Sequence, residues 1–567
     1  MSGNCDLEMV FGTETEFGFS FGKVLDESKA YKFLRHSPEE IFCLIIKLVA
    51  EKTGAFTRTP WSPWERGGIN HLDDLTMKTI TRAAASSGED GDYEGYNLPE
   101  RFRRLTLENT ISFKDVYTSE IGIFLPNGSR LYVDGDHLEY SISECRDPYE
   151  AVCQEKAMER ILSEVALEVQ EICGREIFIF KNNIDFKGQS YACHSNFSLK
   201  LEFFNRLYEE NIWSSAWLSF IATSIIYTGS GRVGYESDGK PCSYQISQRA
   251  DHICKVFSMD TMHDRPMINF RGEPLADPNK WGRFHVILDD SNMSEWSIYL
   301  KIGTKALVLN MLQSQYFSGL RWFRHSYGIS DYGRLLLSDP IGAMKFISRD
   351  LTCKEPLSYS RRGYSALEIQ KIWLDLVKDF YLNRLRIYDA PWITDVIKMW
   401  EQVLNWIKVE DSVLDSILDW RIKKLLIDDL VGKRLQRGLV TSQEKQRFID
   451  LHYHNISENG FYNRLAEVIR FAKEDDIEKA RFNSSEKTRA WLRSQLIKRF
   501  PEHLIDVSWE LLIFNMKVGG LDKKFRLEPD PILSTRSDVG NIFDDSEGYE
   551  EFCHKFLDLY LAQRSKF

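Results

Sequence analysis

Two acidic motifs in the sequence carry residue types that bind metal ions. The first is Gly12-Thr-Glu14-Thr-Glu16-Phe-Gly18, in which two glutamates alternate with threonine. In a β-strand, Glu14 and Glu16 would project from the same face, about 6–7 Å apart. Two buried carboxylates are costly unless cations compensate them, and hard cations such as Mg²⁺ prefer oxygen ligands. We interpret the motif as part of a metal site, and the alternative is a solvated strand face.

The second acidic motif follows a predicted hairpin turn at Pro126-Asn127-Gly128. It places Asp134, Asp136, His137 and Glu139 within six positions. A lone Asp after a strand is usually a turn former, but three acids and a histidine together are harder to explain by solvation. Glu139 is therefore a candidate third metal ligand, and Asp134 is a candidate nucleophile or general base.

Histidine and arginine side chains extend this chemistry. His194 opens a predicted strand, where it is either a metal ligand or a core histidine whose ring nitrogens are satisfied. Arg271 and Arg283 lie at the ends of apolar runs, and their guanidinium groups match phosphate oxygens; the alternative is pairing with Glu273 or Asp277. Together these residue types suit a Mg-nucleotide, and they predict phosphoryl transfer to a carboxylate or its reverse.

The elements that must position these residues are strands interleaved with long helices. Helical periodicity covers Pro148–Cys173, and a second helical stretch runs from about Leu367 to Arg434. This mixture favours an α+β fold over a doubly wound one. Strands are predicted at Val10–Phe21, on both sides of the Asn127-Gly128 turn, and at Glu176–Asn182, Ser195–Leu201, Arg265–Phe270 and Arg283–Leu288.

Composition excludes several classes of protein. The chain has 567 residues, of which 43% are hydrophobic and 28% charged, a globular balance. Its formal charge of −11 disfavours an overall basic nucleic-acid binder. The N-terminus lacks the features of a secretory signal, and no apolar run reaches the ~20 residues that span a bilayer. The ten cysteines include no Cys-x-x-Cys pair. We expect a cytoplasmic protein with neither nucleic-acid nor membrane partners.

Two segments depart from the main pattern. Residues 54–118 hold Thr59-Pro-Trp-Ser-Pro-Trp64 and an acidic stretch, Glu89–Gly95. We interpret them as a long active-site insertion, either a substrate-gating loop or a disordered one, within a catalytic domain of residues 1–475. Residues 476–567 are predicted to form a small C-terminal domain.

The motifs resemble those of the Pup ligase and depupylase enzymes, which are glutamine-synthetase-like carboxylate–amine ligases. The resemblance implies a curved antiparallel sheet that cradles Mg²⁺ and ATP (or ADP), with packed helices and a small C-terminal domain. In the ligase branch, the C-terminal Glu of the small tag Pup is phosphorylated and attacked by a lysine of the target. In the depupylase branch, the same site cleaves that isopeptide bond or deamidates a C-terminal Gln of Pup. The matching motifs begin at Gly12, Asn127, Lys181, Arg265, Asn292, Ile449, Gly460 and Ser508, over nearly the whole chain.

The resemblance also implies roles for individual residues. It makes Asp134 the catalytic acid, as nucleophile or base, in both branches. Metal contacts are implied for Glu14, Glu16, Tyr132, Glu139 and His194. Nucleotide contacts are implied for Arg271, Arg283 and Trp509.

Sequence details favour the depupylase branch. The spacing from Tyr132 to Glu139 has the depupylase length, whereas ligases carry one more residue, and the insertion at 54–118 sits where depupylases have an extra loop. Against this, Glu-Thr-Glu-Phe is closer to the ligase motif. We expect an ATP-dependent isopeptidase and deamidase acting on Pup, a Pup-like tag and tagged proteins. The alternatives are a Pup-type ligase and a catalytically quiet nucleotide-binding regulator. Leu138, Phe197 and Gly272 depart from the usual family residues, which leaves the identity of the tag open.

Overall fold

The computed structural model covers most of the chain. Asp136, Arg271 and nearly all of the predicted 54–118 insertion lie outside the described residues, so the expectations placed on them stay predictions. The described residues are 9–33, 38–56, 122–134, 137–185, 190–209, 211–234, 244–259, 265–270, 273–318, 335–360, 362–386, 390–437, 443–518 and 521–564.

A nine-stranded sheet forms the centre of the larger part of the molecule. Its order is β2-β3-β4-β1-β6-β9-β8-β7, and β5 pairs with the second half of β1. Every described pair is antiparallel except β7 with β8. This mostly antiparallel sheet, packed with helices, confirms the predicted fold class. The strands are β1 (Phe11–Val24), β2 (Gly122–Phe124), β3 (Arg130–Asp134), β4 (His137–Ser141), β5 (Arg175–Phe180), β6 (Cys193–Lys200), β7 (Lys255–Ser258), β8 (Pro266–Asn269) and β9 (Trp281–Val286).

Strand β1 has two chemically different faces. Its burial alternates residue by residue over the first half, with Phe11, Thr13, Thr15 and Phe17 fully buried. This period of two is the one that a half-buried strand requires. The opposite face therefore carries Glu14 and its neighbours towards the candidate site.

Helices cover the apolar face of the sheet and build the main core. They are α1 (Glu27–Phe33), α2 (Pro38–Thr53), α3 (Pro148–Cys173), α4 (Leu201–Glu209), α5 (Asn211–Thr228), α6 (Glu295–Phe317), α7 (Pro340–Arg349), α8 (Ala366–Lys378), α9 (Pro391–Val409), α10 (Asp419–Gln436), α11 (Gln443–Tyr453), α12 (Phe461–Arg464), α13 (Glu474–Ala480), α14 (Ala490–Arg499), α15 (Arg536–Asp544) and α16 (Tyr549–Arg564). Short 3₁₀ turns and one π-helical turn, Asp379–Leu385, complete the list. Among the described residues, no helix combines the length and the apolar character that a membrane span requires.

The longest helix, α3, shows how local sequence sets these boundaries. Asp147 caps its start by accepting a hydrogen bond from the Tyr149 amide, and Pro148 occupies the first turn. Gly174 ends it in the left-handed region, at φ 65°, where a side chain would be strained. The predicted helix Pro148–Cys173 is thus confirmed at both ends.

The C-terminal part has its own small antiparallel sheet, β10 (Leu504–Val507), β11 (Leu512–Val518) and β12 (Leu521–Leu527). A second buried cluster lies here, and Phe56 and Phe124 from the larger part join it. Helix α13, which begins just before the predicted boundary at residue 476, packs instead against α3. The predicted division into two domains therefore stays a prediction, with a shared apolar contact across it.

Candidate functional site

The polar face of the central sheet collects the predicted site residues from five neighbouring strands. Glu14 is paired with Ser141 on β4 and with His194 on β6, and Glu16 is paired with Glu139. Residues that pair directly across antiparallel strands have side chains on the same face. The register extends this face to both sides, through the pairs Tyr132–Glu139, Asp134–His137, Asn196–His285 and Ser198–Arg283.

Glu14 lies at the centre of a cluster that we call the histidine cluster, made of Glu14, His194 and His285. His194 Nδ1 is 2.9 Å and His285 Nε2 is 3.3 Å from Glu14 Oε2. The other carboxylate oxygen accepts hydrogen bonds from Asn196 at 3.0 Å and from Arg283 at 3.4 Å. Burial alone would raise the pKa of Glu14, but the two histidines and Arg283 outweigh it and hold this pKa well below its usual range.

Both histidines of this cluster favour the neutral form. Burial, followed by the nearby positive charge of Arg283, lowers the pKa of His285 to about 3, and burial also lowers the pKa of His194. The ring nitrogens of His285 are buried and make no well-aligned hydrogen bond. A neutral imidazole with a free lone pair is a metal ligand. The three ligand atoms lie within 4.8 Å of one another, as a shared metal ion requires.

A second group, the carboxylate cluster, consists of Glu16, Asp134 and Glu139, whose ligand atoms also lie within 4.8 Å of one another. Burial and then the charge of Asp134 raise the pKa of Glu16 to about 7, although the Ala192 amide donates to it at 2.9 Å. Burial and then the charge of Glu14 raise the pKa of Glu139 well above its usual range. Three close acids with this much uncompensated charge fit a divalent cation.

The two clusters differ in the ions that they suit. The carboxylate cluster offers only oxygen atoms, which Mg²⁺ prefers, and the phenol of Tyr132 lies beside it. Burial and then the charge of Glu139 raise the pKa of Tyr132, so this phenol keeps its proton. The histidine cluster adds two nitrogen ligands, which other divalent metals such as Mn²⁺ also accept.

A cleft opens at the Glu14 end of this face. Arg283 lies in its wall and also donates to Glu273 at 3.3 Å, so the predicted alternative pairing with a carboxylate is present. Trp509 contributes an aromatic wall from the C-terminal part, whereas Asp134 lies outside the cleft lining. The lining residues are Val10–Glu14, Ser141, Ile142, Glu144, Asn196–Ser198, Pro274, Leu275, Arg283, Arg489, Trp509 and Pro531.

The structure therefore places the predicted site residues in two adjoining groups. Glu14, Glu16, Tyr132, Asp134, Glu139 and His194 share the polar face of the sheet, and Arg283 and Trp509 line the cleft beside Glu14. Arg271 lies outside the described residues. The sequence interpretation gave no role to His285 or Asn196. A signal existed for His285, because it stands two residues after Arg283 on the same strand and must share its face.

Comparison with known proteins matches this chain and its fold to one class of enzymes. The family model described as Pup-ligase protein matches residues 9–513. The structure is similar to that of the Pup ligase PafA in complex with Pup, with a TM-score of 0.67 and 25% identity over 95% of this chain and 92% of that one. It is also similar to PafA in complex with ADP, with a TM-score of 0.62 and 28% identity over 79% and 92% of the two chains.

Relatives from both branches of this class are similar in sequence. A depupylase of Acidothermus cellulolyticus is 34% identical over 74% of this chain and 80% of its own length. A Pup–protein ligase of Kineococcus radiotolerans is 34% identical over 74% of this chain and 90% of its own. The chain belongs to the Pup ligase family, which includes both ligases and depupylases.

Proposed function

We propose that this protein is a nucleotide- and Mg²⁺-dependent hydrolase of the depupylase type. It would cleave the side-chain amide or isopeptide bond at the C-terminal Gln or Glu of Pup or a Pup-like tag. The observation that carries the proposal is the placement of the carboxylate cluster on the same sheet face as the histidine cluster, beside the cleft that Arg283 and Trp509 line. A bound Mg²⁺ would supply charge that holds the nucleotide phosphates and polarises a carbonyl oxygen.

Asp134 is the group best placed to act on the tag. It ends β3 and is exposed, whereas Glu16 is mostly buried and Glu139 is 2% exposed. A substrate carbonyl can therefore reach Asp134, and Glu16 and Glu139 would hold a cation together with it. Asp134 attacks the amide carbon, or takes a proton from a water that does so. The C–N bond breaks, the nitrogen leaves as ammonia or as the lysine amine after gaining a proton, and water supplies the new carboxylate oxygen.

The nucleotide would lie in the cleft at the other end of the same face. Arg283 offers a guanidinium group towards phosphate oxygens, and the aromatic ring of Trp509 offers a surface for a base. The ADP complex of the similar PafA structure supports nucleotide binding by this fold. Arg271 belongs to the same proposal as a second phosphate contact.

The experiment that tests the proposal uses the full chain with Mg-ATP and intact-mass spectrometry. Three substrates are offered in parallel: a Pup tag ending in Gln, the same tag ending in Glu with a lysine-bearing acceptor, and a preformed conjugate. We expect deamidation of the first and release of free tag from the third. Asp134→Asn should abolish both, whereas Asp429→Asn, at an exposed carboxylate on α10, should leave them unchanged.

The second candidate is a Pup-type ligase, which the PafA-like fold and the ligase relatives favour. In that reaction Asp134 would deprotonate the incoming lysine. A ligase must produce one ADP for each bond that it makes, so a new conjugate with matching ADP would replace the hydrolase proposal. If nothing reacts while nucleotide still binds, the substrate is another tag or amide. If nucleotide does not bind either, the chain is no enzyme of this type.

A further inference from the structure

The nucleotide cleft depends on a buried ionic group that does not itself belong to the polar sheet face. We call it the arginine cluster, made of Glu144, Arg489 and Arg493. Glu144 follows β4 in the larger part, whereas the two arginines come from the C-terminal part, more than 340 positions later. The side chains of Arg489 and Arg493 are only 4% and 1% exposed.

Arg493 is fully engaged in this cluster. Its Nη2 donates to Glu144 Oε2, its Nε donates to the Gly128 carbonyl at 3.0 Å, and its Nη1 donates to the Trp509 carbonyl at 3.4 Å. The guanidinium carbon lies over the Trp509 ring, 4.8 Å from the ring centroid. Phe124 meets the same ring edge-on, at 5.2 Å between centroids and an angle of 75°.

These contacts hold the indole of Trp509 on a side that does not face the cleft. Trp509 lines the cleft, but Arg493 does not, so the guanidinium covers a part of the indole that the cleft does not use. The hydrogen bonds of Arg493 hold its guanidinium in place, and the ring of Trp509 packs between this guanidinium and Phe124. A flat side chain held in this way is a preorganised stacking surface for a base.

Arg489 supports another residue of the cleft lining, Leu275. Its Nε donates to Glu144 Oε1 at 2.7 Å, and its Nη2 donates to the Leu275 carbonyl at 2.7 Å. Leu275 has a φ of 51°, a left-handed conformation that is costly for a branched side chain and needs support from its surroundings. One carboxylate, that of Glu144, thus holds both arginines, and Glu144 and Arg489 also line the cleft themselves.

We infer that Arg493 is a positioning residue for the nucleotide base, and that it acts through Trp509 rather than by touching the ligand. This inference rests on the proposed nucleotide cleft. It predicts a loss of affinity that depends on the base: removing the guanidinium should weaken ADP binding about tenfold. Binding of inorganic tripolyphosphate, which has no base, should not change.

The experiment measures dissociation constants for Mg-ADP and Mg-tripolyphosphate by calorimetry, at a temperature where every variant is folded. Arg493→Met removes the charge and the planar group, and Arg493→Lys keeps the charge but loses the fork and should give a smaller loss. The matched control is Lys423→Met, which breaks a fully buried ion pair with Asp450 away from the cleft lining. It should lower the melting temperature without changing either constant.

A double-mutant cycle separates this role from a general structural one. In a Trp509→Ala background, Arg493→Met should cost no further ADP affinity, because the group on which it acts is gone. The inference is overturned if Arg493→Met and Arg493→Lys bind ADP as the wild type does, if ADP and tripolyphosphate weaken equally, or if the two changes add. A wild type that binds no ADP would overturn the proposed function as well.

Discussion

The metal-free protein should lose stability as the pH rises towards neutral, and Glu16 should account for a measurable part of the loss. Burial and the nearby Asp134 raise the pKa of Glu16 from 4.5 to about 7 in the folded state. A carboxyl with a raised pKa stabilises the fold fully below its unfolded value, and this contribution is lost as the pH rises through the folded value. Each pH unit between the two values corresponds to about 1.4 kcal/mol, which gives about 3 kcal/mol for Glu16.

Thermal unfolding in the presence of a chelator measures this loss. Between pH 5 and pH 8 the melting temperature of the wild type should fall about 2–3 °C further than that of Glu16→Gln, from the entropy of unfolding expected for this length. Glutamine keeps the shape and the hydrogen bond from the Ala192 amide but has no proton to lose. Glu528→Gln, at an exposed glutamate, serves as the control and should follow the wild type.

Adding Mg²⁺ extends the test to the proposed metal site. A divalent cation in the carboxylate cluster favours the ionised acids, so it should stabilise the wild type more at pH 8 than at pH 5. Calorimetry in two buffers should show that protons are released on binding at pH 6. The reasoning is refuted if the wild type and Glu16→Gln have parallel pH profiles without metal. It is also refuted if Mg²⁺ stabilises Glu16→Gln as strongly as the wild type.

Three further predictions concern other parts of the structure. Acid should destabilise the arginine cluster. Burial would raise the pKa of Glu144, but Arg493 and Arg489 lower this pKa to about 2. The ionised carboxylate therefore contributes about 3 kcal/mol of folding stability above pH 4.5, and this contribution is lost as the pH falls towards 2. Glu144→Gln should be less stable at pH 7 yet have a flatter acid profile by tryptophan fluorescence, and an equally steep profile would contradict this. His285→Ala should weaken Mn²⁺ binding by at least about tenfold in calorimetry, and an unchanged constant would remove His285 from the metal site. Gly229→Ala should cost about 1–3 kcal/mol in chemical denaturation, since a Cβ there would lie 2.4 Å from the Ile246 carbonyl oxygen, whereas Gly432→Ala meets nothing within 4 Å.

The parts of the site that depend on a strand period were predictable from the sequence. Glu14 and Glu16 share a face because successive residues of a strand alternate, and the hairpin at Asn127-Gly128 starts β3, which carries Tyr132 and Asp134 on the same sheet. The residues of β6 do not show which strand it pairs with, or that His194 lies beside Glu14. His194 therefore stayed either a ligand or a core histidine until the pairing with Glu14 favoured the first role.

Contacts between distant segments could not be predicted in this way. From the sequence alone, Glu144 is an ordinary acid that precedes a helix. Arg489 and Arg493 are charged residues near the start of an amphipathic helix. Only the tertiary packing shows that they are nearly fully buried and that they meet behind Trp509. The left-handed backbone of Leu275 could not be predicted either, because such a conformation is expected at glycine or asparagine and this position has neither.

The position of β1 at the centre of the sheet also sets the order in which a growing chain can complete its site. Strand β1 pairs with β4 and β6, and β6 pairs in turn with β9, so the polar face is complete only when the chain has reached Val286. Trp509 and its supporting arginines follow about 220 residues later. At a synthesis rate of about 5–20 residues per second, this separation lasts about 10–45 seconds. During that interval, the nascent chain can already carry the face with the two candidate metal clusters, while the wall proposed to recognise the base has not yet been made.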